Sequence, residues 1–480
     1  MDSDINWLHL PDIIWELILS HLDYNSLLRA SVTCKKFNNV FSISKRLMKK
    51  LRLTIFDPSV EYKMKIARWK ENKSMDCELE PINHCLQNSV RKYESILIRR
   101  LSDDAAKTYV EDVLIKILKH IAGSVEEIQF YDTSLKDDEL FKIIQIMKNL
   151  KILKFKQHNY HIDRSVITEV VIPDIVPSIN EIYLYNVRDF SFEKLYMFDN
   201  LTTLDVSDCT TDYRTLENFL SMQKHLKILR LSHLHNDSLF QTDKLATNIK
   251  FSLDELSLRR FNWSNNDNAM KFFKTQINLK KVTFGLQHLN DIDLLKLLIL
   301  FFGNNLQLKT VVLSTYDYII NDFSYLESIV NPSVENLELY TNRRQNATEL
   351  LIAFTKLFPN VKNFTYQIIN KVHGLNQIHN WKCLEYLNCK LEDVNLILEN
   401  VNIGEKLTTC TIKCSNLDDI RKPEFLAFLI RHQNIKHLTL NSDYHDNAVP
   451  DEILNLILKL LKSLKTLIWN QKIVVPCQII

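Results

Sequence analysis

From about residue 93 onward the chain repeats one short pattern of apolar and polar positions, L-x-x-L-x-L, with Ile, Val, Phe or Tyr standing in for Leu. It runs from Tyr93/Ile96/Ile98 and Val125/Ile128/Phe130 through Leu226/Leu229/Leu231 to Leu464/Leu467/Trp469. The alternating L-x-L predicts a strand with one buried face, because successive side chains of a strand point to opposite sides. Between units the apolar spacing turns helical, as in "DDELFKIIQIMKNL" and "PDEILNLILKLLKSL". Each unit is therefore expected to be a strand followed by a helix.

About fifteen units return at steps of mostly 22 to 29 residues, with one longer step from Tyr93 to Val125. That period lies inside the window of the leucine-rich repeat, whose units stack so that each buries its apolar face against its neighbours. The expected fold class is α/β, a solenoid or horseshoe over residues 93–480 with about 14–15 repeats, a concave parallel sheet and a mostly helical convex side. One departure is visible. The Asn or Cys that ordinarily follows the last strand Leu and satisfies backbone groups at the bend is mostly missing, with Cys209 and Asn342 as exceptions.

The opening segment does not fit the repeat. Pro11 stands at the first turn of a predicted helix, where its missing N–H costs nothing. At helical spacing Ile13, Ile14, Trp15, Leu17, Ile18, Leu19 and Leu22 sweep an arc of roughly 240°, leaving Asp12, Glu16 and Ser20 on a polar strip. Two further helices are expected, from Ser26 to about Cys34 and from Lys35 to Leu51. Three helices in so short a span make a marginal core, so the surplus apolar surface points to a protein partner, with the neighbouring repeats as the alternative cover.

The run "LPDIIWELILSHLDYNSLLRASVTCKKFNNV" resembles the F-box motif along nearly its whole length, with Phe37 where Trp is common. The resemblance implies an F-box over residues 5–51 that docks onto a Skp-type adaptor and, through it, onto cullin and RING subunits. The adaptor-contacting candidates it carries over are Leu10, Pro11, Ile13, Ile14, Leu17, Ile18, Leu22, Leu27, Leu28 and Val32, some of which must serve the small domain's own core. Residues 52–92 are expected to connect the F-box to the repeats, the charge-rich "KENKSMDCELE" among them. An F-box followed by leucine-rich repeats resembles the F-box/leucine-rich-repeat substrate receptors of ubiquitin ligases, which carry no active site of their own. A scaffold that uses the same modules without promoting ubiquitination is the alternative. The ending Cys477-Gln478-Ile479-Ile480 resembles a C-a-a-X prenylation box, although Gln478 and the terminal Ile depart from it and the upstream lysines are sparse. Membrane association is expected only if Cys477 is prenylated.

Composition narrows the function classes. Sixty basic against 58 acidic side chains leave a formal charge of +2, which argues against a surface built for nucleic acid. The five glycines stand singly, so phosphate-cradling loops are missing, as are G-x-S-x-G and H-E-x-x-H signatures. No cofactor is expected. Nine cysteines without a regular framework, behind an acidic N-terminus, favour a reducing cytoplasmic or nuclear location. The stretch "LLKLLILFF" is too short to span a bilayer and reads as a buried helix.

The residues between the strand leucines should form the concave surface. From Gln129 and Lys154 through Glu338 to Ile468 they are chemically mixed, which suits a protein segment. The substrate-binding candidates are Arg230, Arg259 and Lys281, which with Arg260 form a basic cluster, and the tyrosines Tyr183, Tyr185 and Tyr340 as aromatic anchors. A solvated edge without a ligand is the plainer account of the basic cluster. Cys410 and Cys414 with His432 and His437 superficially suggest a metal site, but strand alternation makes buried thiols of them. Cys383 and Cys389 are read the same way.

Overall fold

The L-x-L pattern becomes, strand after strand, one register. The computed structural model describes residues 10–22, 24–48, 52–56, 93–99, 114–131, 133, 137–156, 178–187, 192–210, 212–234, 238–239, 244–259, 262–263, 266–286, 292–315, 326, 329–341, 347–368, 375–390, 406–414, 420, 423–442, 451–470 and 472–476. The chain divides into two compact units, residues 1–226 and 227–480.

The first unit opens with four helices, α1 (Asp12–Ser20), α2 (Tyr24–Thr33), α3 (Lys35–Ile43) and α4 (Lys45–Met48). The helix expected from Lys35 to Leu51 is thus broken at Ser44, whose backbone is extended. The Ser44 Oγ accepts a hydrogen bond from the Leu47 N–H, so one residue ends α3 and caps α4. Strands β1 (Arg52–Phe56), β2 (Ser95–Arg99), β3 (Glu127–Tyr131), β4 (Ile152–Lys156), β5 (Glu181–Tyr185) and β6 (Thr203–Ser207) follow in a parallel sheet. The sheet therefore starts at Arg52, inside the segment expected only to connect. Leu53 and Ile55 pair in register with Ile96 and Ile98 and extend the apolar ladder by one rung.

The second unit continues with β7 (Ile228–Ser232), β8 (Ser238–Leu239), β9 (Glu255–Arg259), β10 (Asn262–Trp263), β11 (Lys281–Leu286), β12 (Thr310–Thr315) and β13 (Asn336–Thr341). Then come β14 (Asn363–Ile368), β15 (Tyr386–Lys390), β16 (Thr409–Cys414), β17 (His437–Ser442), β18 (Thr466–Trp469) and β19 (Lys472–Pro476). β7, β9 and β11 to β18 form one parallel sheet, and β8 pairs with β10 in a small separate one. β19 lies antiparallel on β18 and occupies a sheet edge that would otherwise present unpaired backbone groups.

Inward positions match across every pairing, for instance Leu256, Val282, Val311, Leu337 and Phe364, all fully buried. Helices pack behind the strands. The expected buried helix spans Ile292–Asn304 and sinks Leu298, Ile299 and Phe302. Near its end a Cβ on Gly303 would stand 2.5 Å from the Ile329 side chain, so only glycine lets that segment approach.

A row of polar residues serves the turn before several strands. Three residues before the first apolar position of their units stand Gln223, Gln276, Asn305, Asn331 and Trp381. Their buried polar groups bond the backbone at the turn that leads into the strand. Gln223 Nε2 donates to Phe198 O at 2.9 Å, Asn331 Nδ2 to Phe302 O at 2.7 Å, and Trp381 Nε1 to Phe358 O at 2.8 Å. The Gln276 Oε1 accepts from Leu253 N at 2.9 Å. Leaving such groups unpaired in the core would be costly, so this spine is part of what holds successive repeats in line. At the other end of the strands Asn186, Asp208, His233 and Asn470 take positive φ, each directly after a strand, and Cys209 Sγ accepts from Val187 N at 3.4 Å. Asn342 lies outside the described residues.

Candidate functional site

The sequence leaves α1 with apolar residues on most of its circumference, and the packing sorts them into two faces. Trp15, Leu19 and Leu22 turn toward a small core with Leu27, Val40, Phe41 and Leu47, joined by Ala30 and by Tyr93, two residues before β2. The Trp15 ring lies 4.5 Å from that of Phe37 between centroids, and an ion pair between Lys36 Nζ and Asp12 pins the start of α1 to α3. The opposite face carries Ile13, Ile14, Leu17 and Ile18, which are 72%, 39%, 49% and 43% exposed. Their i, i+1, i+4, i+5 spacing makes one continuous strip, and Pro11 is exposed at its end. Exposed apolar side chains gathered in this way mark an interaction surface. No helix among the described residues is long and apolar enough to cross a membrane.

The carried-over candidates thus fall into groups. Ile13, Ile14, Leu17, Ile18 and Pro11 lie on the open face, and Leu10 is half-buried. Leu27 is fully buried and Leu22 packs against the same core, so in this structure both are part of the small domain's interior. The side chains of Leu28 and Val32 are outside the described residues, as is Cys477.

On the second unit two members of the basic cluster share one carboxylate. Arg230 makes a two-pronged contact with Glu255, Nε to Oε1 at 2.9 Å and Nη2 to Oε2 at 3.2 Å, and Lys281 reaches the same carboxylate at 3.2 Å. Glu255 feels partial burial, which raises its pKa, but Arg230 and Lys281 outweigh that and hold it below the usual glutamate value. Glu255 occupies the first outward position of β9, one step before the middle positions that the sequence pattern brings to notice. Arg259 is exposed at the far end of β9, beside Gly285 of β11. Arg260 lies outside the described residues.

The tyrosines are tied down rather than free. Tyr183 Oη donates to Glu181 at 2.7 Å, Tyr340 Oη to Glu338 at 2.8 Å, and Tyr185 Oη to Asp205 at 3.3 Å. Burial and the Glu338 carboxylate push the Tyr340 hydroxyl up to about 12.

The first unit carries a row that the sequence pattern alone does not single out. Arg99, Tyr131, Lys156 and Tyr185 are register partners on β2 to β5, each in the last outward position of its strand. Arg99 lies 5.0 Å and Lys156 5.7 Å from the Tyr131 ring centroid. In the row beside it Lys154 pairs with Glu127 at 3.0 Å and lies 5.1 Å from the Tyr183 ring. Strand alternation, applied to the outer positions as well as the middle ones, is the signal that finds it.

Cys389, Cys410 and Cys414 are buried, and burial pushes the Cys410 thiol far up. Cys383 is a correction, since it is only half-buried at the turn before β15, with Lys406 Nζ at 4.0 Å. No group of three or more His, Cys, Asp or Glu among the described residues is placed to hold a metal ion.

Comparison with known proteins adds the following. Residues 7–49 match the model of the F-box domain. No curated protein sequence matches the chain significantly. Among solved structures the chain is similar to an internalin from Listeria monocytogenes, at 15% identity and a TM-score of 0.35, over 81% of this chain and 93% of that one. It is also similar to the leucine-rich repeat-containing protein LegL7 from Legionella pneumophila, at 13% identity and a TM-score of 0.28, over 77% and 91%. The chain thus carries an F-box match at residues 7–49 followed by the in-register parallel strands β1 to β6 and, in the second unit, β7, β9 and β11 to β18, a combination that supports a protein-interaction adaptor.

Proposed function

We propose that this chain is the substrate-recognition subunit of a Skp-cullin-F-box ubiquitin ligase. The single observation that carries the reading is the exposed strip Ile13, Ile14, Leu17 and Ile18, which lies inside the F-box match and faces away from the domain core. Covering it with a partner removes apolar surface from water at about 25 cal/mol per Å², a driving force the free domain leaves unused. In this reading Leu10, Pro11 and the four strip residues touch the Skp-type adaptor, while Leu22 and Leu27 hold the helices in place. Cullin and RING subunits attach through the adaptor, and the repeats hold a protein substrate near the conjugating enzyme in the cytoplasm or nucleus. The chemistry belongs to that enzyme. This chain contributes proximity, converting an encounter of two proteins into a reaction within one assembly.

The test is co-expression with a Skp-type adaptor, comparing the natural chain with Ile14→Asp/Leu17→Asp. The natural chain is expected to form a stoichiometric complex, and the variant to lose it by at least about thirtyfold in affinity, as for hot-spot residues. Adding cullin and RING subunits should then yield ubiquitin transfer to a captured protein. Absence of a complex with folded natural protein would overturn the reading. An adaptor complex that recruits no cullin would reduce the chain to an interaction scaffold.

A further inference from the structure

We propose that the row Arg99, Tyr131 and Lys156 on the outward face of the first unit's parallel sheet is a docking subsite for an acidic segment of a protein substrate, read through two carboxylates. The proposal rests on the substrate-receptor reading above and names the chemistry its substrate would carry.

Three observations support it. First, among the described residues neither charge has an ionic partner. Lys154 on the same sheet is held by Glu127, and on the second unit Arg230 and Lys281 share Glu255, whereas Arg99 and Lys156 carry no ion pair among the described residues. Their contact is with the Tyr131 ring, and a cation over an aromatic face keeps its charge and its capacity to bind an anion. Second, the pair is pre-ordered. Both long side chains rest against one ring, which lowers the entropy lost when they engage a ligand. Third, the spacing fits an extended peptide. Arg99 and Lys156 are register partners on either side of Tyr131, so two strand steps separate their backbones by about 9.6 Å. Carboxylates on alternate residues of an extended chain lie about 7 Å apart, and glutamate side chains close the remainder.

The surroundings limit the ligand. Glu181 and Asp205 occupy outward positions on the next two strands, where they repel a long polyanion such as nucleic acid. A phosphate dianion calls for several donors converging on one point, while these two cations rise from strands on either side of Tyr131. Two separate carboxylates match two separate cations.

The probe is a short fluorescent peptide, Gly-Ser-Glu-Val-Glu-Ser-Gly, measured by anisotropy with the full chain, beside a twin with Gln for both Glu and a third with phosphoserine for both. The acidic peptide is expected to bind about tenfold more tightly than the Gln twin, and Arg99→Gln/Lys156→Gln to erase that difference. Lys154→Gln and Arg230→Gln, whose charges are already paired, should change binding by no more than about twofold. Should the double variant misfold by circular dichroism, Lys156→Gln alone, at an exposed position, gives the same comparison with a smaller loss. Equal binding of the acidic and Gln peptides, no binding of the acidic one, equal loss on Lys154→Gln, or a preference of tenfold or more for the phosphopeptide would each overturn the proposal. Repeating the titration with Ile14→Asp/Leu17→Asp separates the two readings. Peptide binding that persists while adaptor binding fails leaves this subsite standing, and the reverse leaves the F-box reading standing without it.

Discussion

The F-box helix α1 and the repeats handle apolar residues in opposite ways. In α1 the strip from Ile13 to Ile18 stays open to water although the domain has a closed core of its own behind it. In the repeats the strand leucines all have a neighbour in register, and on the second unit Arg230 and Lys281 close onto Glu255. A repeat array is complete when the next repeat arrives. The four-helix segment leaves one apolar face of α1 uncovered. Stability should therefore reside in the repeats, and adaptor binding in α1, with little exchange between them.

The largest effect expected on that division comes from the repeat core. Phe273 is fully buried and meets Phe284 edge-on, with centroids 5.6 Å apart, so Phe273→Ala removes both area and an aromatic pair. The expected loss is about 3–5 kcal/mol in urea unfolding of the second unit, while the affinity for a Skp-type adaptor stays unchanged. Adaptor affinity falling in parallel would show that the two regions do depend on each other.

A smaller effect is tied to pH. His432 is buried against Phe428, and its pKa is pushed down to about 4 by burial and by Arg431. A depressed folded value means that the stability belonging to the neutral ring is fully present above its unfolded pKa of about 6.5 and is lost as pH falls through about 4. The loss across that window is about 3 kcal/mol. His432→Gln should flatten the fall in urea midpoint between those limits, and an unchanged slope would remove His432 as its source.

The smallest expected change is the sharpest one for the comparison. Ile13→Ser/Leu17→Ser should alter the stability of the free chain by no more than about 0.5 kcal/mol, because both side chains already face water. Thermal unfolding of the free chain checks this, and a large loss would mean that the strip is covered within the chain itself.

Much of this fold is legible because strands announce themselves with a period of two. Ile96, Ile128 and Leu153 align by their spacing alone, since a slip of one residue would turn every one of them to solvent. The outward face is legible only in part. Glu255 sits two residues from Ser257 on the same face, yet its grip on Arg230 and Lys281 depends on three strands lying side by side. The spine from Gln223 to Trp381 is hidden for a similar reason, because its partners are backbone groups of the preceding repeat, more than twenty residues away.

What the sequence determined by itself is the repeat, its period, the excess of apolar residues on the opening helix and the resemblance of that helix to an F-box. All of these are local properties of chain geometry, in which a spacing along the sequence maps directly onto a face. The tertiary structure decided which side of α1 stays open, since Trp15 and Leu19 turn inward only once α2 and α3 supply Leu27, Val40 and Phe41. It also decided where the outward cations settle, placing Arg99 and Lys156 against Tyr131 and closing Arg230 and Lys281 onto Glu255. The physical reason is the same in both cases. Burial and charge pairing are set by neighbours across the fold, and a sequence specifies those neighbours only through the packing it adopts.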